Sequence, residues 1–156
     1  MIWRRSRYSS FSLVEVTLAL GVAAVWLLVV FSLLPIGLQT NQRSIEQTAS
    51  ADILSTIVAD LRATPRGTAS SSQFSISIPA NPITSATEVS PIYFNSAGQL
   101  VTSDQNPRYR VTITFLANGG AAKTATFADL KVTWPAAASI ANAQGLAEMF
   151  AAFDRN

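Results

Sequence analysis

Apolar and polar positions divide the chain into three regions with different periods. From Phe11 to Leu34 it reads FSLVEVTLALGVAAVWLLVVFSLL, and after Glu15 no charged residue follows until Arg43. The polar exceptions beyond Glu15 are Thr17 and Ser32. A helix of this length crosses the hydrocarbon core of a bilayer. Pro35 and Gly37 then weaken helix geometry, predicting a kink or local unwinding before the helix resumes. Ile45, Ala49, Ile53, Ile57 and Leu61, widened by Leu54 and Val58, form an apolar stripe, with Glu46, Asp52, Asp60 and Arg62 placed off it. Thr64-Pro65 is the natural stop. A helix from Phe11 to about Ala63 spans on the order of 80 Å.

Past Pro65 the period falls to two. Residues 68–73, TASSSQ, read as a polar linker. Phe74, Ile76 and Ile78 alternate with serines; Ile92 to Phe94 lead through an Asn-Ser-Ala-Gly turn into Gln99 to Thr102. Tyr109, Val111, Ile113 and Phe115 alternate cleanly, Asn118-Gly119-Gly120 marks a turn, and Leu130, Val132 and Trp134 alternate again. This pair predicts an antiparallel hairpin with one face on the amphipathic helix. Ala141 to Phe153 has helical propensity interrupted by Gly145; a strand near Ala147 to Phe153 is the expectation. The fold class predicted is α+β, with segments 1–10, 11–38, 39–64 and 65–156 as leader, membrane helix, amphipathic helix and β-rich head.

Charge changes this picture only at the N-terminus. Of eleven Lys and Arg residues three, Arg4, Arg5 and Arg7, precede the apolar run, leaving eight against nine Asp and Glu, or −1, for a chain starting at Phe11. The leader cations predict a cytoplasmic N-terminus, an inner-membrane anchor and an exported head. No small-x-small cleavage site follows the apolar run, so that run is expected to stay. The remaining length allows one small domain.

Ser10-Phe11-Ser12-Leu13-Val14-Glu15-Val16, followed at once by the apolar run, resembles the prepilin processing motif of type IV pilins and type II secretion pseudopilins. Phe11, Leu13, Glu15 and the run coincide with it; Ser10 stands where Gly is usual. The resemblance implies a pilin-like fold and cleavage by a prepilin peptidase between Ser10 and Phe11. It also implies N-methylation of the Phe11 amine, and a filament of pilin-like subunits as partner. Glu15 is then the acid that pairs with the freed amine, in its own helix or in a neighbour's. The C-terminal region is similar in outline to minor pilins of the pilus-modification type, where a final strand closes the sheet.

Catalytic chemistry has little to draw on. The chain has no His and no Cys, which removes His-based triads and most zinc sites. Lys123 and Lys131 are the available activating bases for a serine, one at a turn and one on a strand's outer face. Asp104 and Asp129 are isolated in sequence, which leaves calcium binding open. Asn118-Gly119-Gly120 reads as a hairpin turn and not a phosphate loop. Arg108 and Arg110 share a predicted solvent face and are too few for strong phosphate binding, so no nucleic-acid partner is expected. No enzyme activity, cofactor or metal is predicted. The expected function is structural, as a minor pilin or pseudopilin; the alternative is an unprocessed single-pass protein whose exported domain binds a ligand or partner.

Overall fold

The computed structural model describes residues 12–119 and 125–154. The leader cations Arg4, Arg5 and Arg7, the Ser10–Phe11 junction and Lys123 therefore lie outside the described residues. The chain divides into two compact units, Met1–Ser44 and Ile45–Asn156. Helix α1, Leu13–Ala63, contributes to both, and Pro35 and Gly37 lie inside it without an interruption of helical structure.

In the second unit the polar loops and short strands that follow α1 build one antiparallel sheet. Its strands are β1 (Thr87–Glu88), β2 (Ile92–Phe94), β3 (Leu100–Val101), β4 (Tyr109–Phe115), β5 (Thr126–Trp134) and β6 (Gly145–Phe153). The order is β3-β2-β4-β5-β6, with β1 pairing β4. The predicted hairpin is β4–β5, in register with Val111 opposite Val132 and Ile113 opposite Leu130. Strand β6 pairs with β5 over its full length, Trp134 opposite Gly145 and Thr126 opposite Phe153. The expected C-terminal strand is thus present and starts two residues earlier. Period-2 alternation sends one set of side chains inward. Val111, Ile113, Phe115, Leu130, Val132 and Phe153 join Ile53, Leu54, Ile57, Val58 and Leu61 of α1 in one core.

Three expectations change. Ile45 is 60% exposed, and Glu46, Ser50 and Asp60 occupy the buried face instead. Each four-residue step turns a helix about 40° beyond a full revolution, so a row from Ile45 to Leu61 drifts about 160°. It cannot all face one sheet. The segment 68–73 is not a slack linker. Ser71 is buried, bonds Ile76 through backbone and hydroxyl, and adjoins the bridge between Ser70 and Ser77. Phe74 to Ile78 keeps its alternation of burial, with Ile76 and Ile78 inside, but forms no strand. Ser75 sits at φ 53, which breaks the extended backbone.

Gly145 has a packing reason. A Cβ there would lie 2.0 Å from Cζ2 of the Trp134 ring, which occupies the space opposite it. The Tyr109 ring meets the same indole edge-on, centroids 6.2 Å apart.

Candidate functional site

Of the residues singled out by the motif, Leu13, Val14 and Glu15 fall on the first half of α1. Its first helical bond runs from Val16 N–H to Ser12 C=O, 3.2 Å. Glu15 lies in the first turn, where a carboxylate complements the positive end of the helix dipole. Every large apolar side chain from Leu13 to Leu38, Val14 and Trp26 included, is at least 46% exposed. Burying a side chain of that size contributes about 1.5–3 kcal/mol, so a covering for this segment is worth tens of kcal/mol before ordering costs. The helix is long and apolar enough to cross a membrane, and the apolar window that qualifies it has none of its residues buried.

Its hydroxyls at Thr17, Ser32 and Thr40 are satisfied within the helix. Thr17 Oγ1 donates to Val14 C=O at 2.9 Å, Ser32 Oγ to Val29 C=O at 2.7 Å, and Thr40 Oγ1 to Ile36 C=O at 2.9 Å. Such back-bonding leaves no hydroxyl seeking water in hydrocarbon. Pro35 withholds the N–H that would otherwise reach Phe31 C=O. Glu15 is then the one charge on this stretch before Arg43. It shares one helix face with Val16, Ala19, Leu20 and Ala23. Glu15, Ala19 and Ala23 are spaced by four, and two alanines in that relation let another helix approach closely. The sequence reading identified Glu15 but not this alanine pair, whose signal is only the spacing.

The head carries carboxylates that sequence reasoning had placed off the buried face. Asp60, 5% exposed, accepts bonds from Gln73 N–H at 3.0 Å, Phe74 N–H at 3.1 Å and Ser72 Oγ at 3.3 Å. Burial pushes its carboxyl pKa up, but bonds from the Ser71 hydroxyl, both amides and Ser72 outweigh that, and the net direction is down. Glu46 pairs with Arg108, a half-buried ion pair between helix and sheet. Arg108 therefore does not share a free solvent face with Arg110; it precedes β4, where alternation no longer governs its direction. Arg110 is half-buried, and its Nε has no bonding partner among the described residues.

On the sheet's outer face Lys131 lies 3.0 Å from Asp129 and 3.1 Å from Glu148. Hydrogen bonds to Asp129 and then Glu148 raise its pKa, so it stays a cation. That is the wrong state for a general base. Asp104 is held by the Thr102 hydroxyl, which lowers its pKa. Asn118 does more than turn the chain: its Oδ1 accepts from Ile83 N–H at 2.7 Å and its amide donates to Asn81 Oδ1 at 2.6 Å. Comparison with family models, curated proteins and solved structures gives no match for this chain.

Proposed function

We propose that the chain is a prepilin-like structural subunit, a minor pilin or pseudopilin of a type IV pilus or type II secretion-like filament. It is held first in the inner membrane and then in the filament core. The observation that carries this reading is the exposed apolar half of α1 with a single acid, Glu15, beside a close-approach face of Ala19 and Ala23. A plain anchor has no use for that carboxylate. Placed at mid-bilayer an acid costs about 2.5–3.5 kcal/mol on insertion scales, and less toward the interface, so its retention calls for a partner.

Cleavage between Ser10 and Phe11 by a prepilin peptidase supplies one. The new Phe11 amine stays basic after N-methylation, and a neighbouring subunit can bring its amine to Glu15 while the helices close over the alanines. The apolar surface shared by the helices replaces lipid contact, and charge neutralisation sets their register. The head, exported by the leader's topology, makes the lateral contacts.

The test is Glu15→Leu. This variant is more apolar, so it inserts in the membrane at least as well as the parent. It fails to enter filaments when expressed with its cognate assembly proteins. Incorporation at the parental level would remove the proposed role of Glu15.

A further inference from the structure

A groove on the head has a composition that selects for one class of ligand. It lies between the loop around Ser75 and the β2–β3 hairpin, with a volume of about 620 Å³, within the range of small-molecule sites. Among the described residues, no carboxylate, ammonium or guanidinium lines it. An ion entering it would lose hydration and gain no counter-charge from these lining residues. What the groove offers is the half-buried Tyr93 ring, the hydroxyls of Ser75, Ser77, Ser90 and Ser103, and the Gln105 amide, above an apolar floor. None of those serine or tyrosine hydroxyls bonds another side chain or backbone group among the described residues.

The walls are fixed before any ligand arrives. Asp60 accepts from Gln73 and Phe74 N–H on one side of Ser75. On the other side Ile76 bonds Ser71 in both directions, and Ile78 N–H reaches Ala69 C=O at 2.8 Å. The Phe74 ring meets Phe94 edge-on at 5.6 Å. Between these ties Ser75 is held at φ 53, a left-handed conformation unusual for a residue with a Cβ. Glycine would adopt it without strain. What serine adds there is a hydroxyl on the groove wall. Opposite, Gln105 Oε1 accepts from Thr102 N–H at 3.2 Å, which orients the amide and leaves its NH₂ to donate.

We propose that this groove binds an uncharged glycan, one or two pyranose units at a time. The apolar face of the sugar lies on Tyr93, and its hydroxyls bond Ser75, Ser77, Ser103 and Gln105. A pyranose combines an apolar face with a ring of neutral donors and acceptors, which is the complement of this lining. The proposal is independent of the filament reading, because it concerns the head alone.

The experiment uses the full chain in a detergent without a sugar headgroup, with binding read by saturation-transfer NMR and titration against cellobiose, N,N′-diacetylchitobiose, lactose and sialyllactose. At least one neutral disaccharide binds, and the anionic sialyllactose binds no better than lactose. Tyr93→Ser and Gln105→Ala each weaken binding about threefold to tenfold, the effect of one lost contact. Ser75→Gly relieves the backbone, so its thermal midpoint is unchanged or raised while its affinity falls; this variant remains informative if Tyr93→Ser does not fold. The proposal is overturned by failure of all three neutral sugars to bind, by preference for the anionic sugar, or by undiminished binding in Ser75→Gly and Gln105→Ala.

Discussion

Replacing Asp60 with Asn separates the charge of a buried side chain from its shape. In the native head this carboxylate accepts bonds from the Ser71 and Ser72 hydroxyls and from Gln73 and Phe74 N–H, which fasten the loop after α1 onto the helix. Asn keeps one acceptor oxygen and turns an NH₂ toward a donor that the second oxygen now accepts. A hydrogen bond to a charged group contributes about 1.5–3 kcal/mol, and a buried amide left unpaired costs about 1–3 kcal/mol. With partial relaxation the expected loss is about 2–4 kcal/mol. For a unit of this size that lowers the thermal midpoint by roughly 10 °C or more. The pH dependence has a definite sign. A carboxyl whose folded pKa lies below its usual 3.8 contributes stability above that value and loses it as pH falls through the folded pKa. The gap between parent and Asp60→Asn is therefore full at pH 7 and narrows below about pH 4. The assay is thermal unfolding of both proteins followed by circular dichroism from pH 7 to pH 3. A variant within experimental error of the parent at pH 7, or a gap that widens on acidification, would refute this account of the loop.

Gly145→Ala forces a Cβ into the Trp134 ring, and overpacking of this kind costs about 1–3 kcal/mol; a lower midpoint with altered near-ultraviolet circular dichroism checks it. The Glu46–Arg108 pair is asymmetric. The Glu46 side chain is 11% exposed and that of Arg108 30%, so Arg108→Ala, which strands the more buried charge, destabilises more than Glu46→Ala, by about 1–2 kcal/mol. Equal effects, or the reverse order, in denaturant titrations contradict that assignment. Assembly of Glu15→Leu probes the apolar half of α1.

The hairpin β4–β5 was legible because each strand has one buried and one wet face, so its period of two is written in residue type. The β2–β3 turn was legible from Asn95 and Gly98, whose side-chain bonding and φ of 73 close it. Phe74 to Ile78 has the same alternation yet no strand, because Asp60 takes the amides of Gln73 and Phe74, and Ser75 bends the backbone. That competitor sits more than ten residues away, beyond any local pattern. The two residues of β1 carry no pattern of their own. In β6, Gly145 reads locally as a helix breaker; its role as the space opposite Trp134 appears only once β5 and β6 are paired. Glu15 was legible because an acid in an apolar run is conspicuous. The alanines beside it were not, since alanine is ordinary in any helix.

On the proposed reading, cleavage between Ser10 and Phe11 separates a subunit that polymerises from one that remains an anchor. Intact-mass and N-terminal peptide mass spectrometry of the protein, recovered from membranes that contain an active prepilin peptidase, reads this directly. The account predicts a chain beginning at Phe11 and carrying one methyl group on its amine. A chain that retains Met1, or begins anywhere other than Phe11, would contradict it, because the Phe11 amine would then not be freed to meet Glu15.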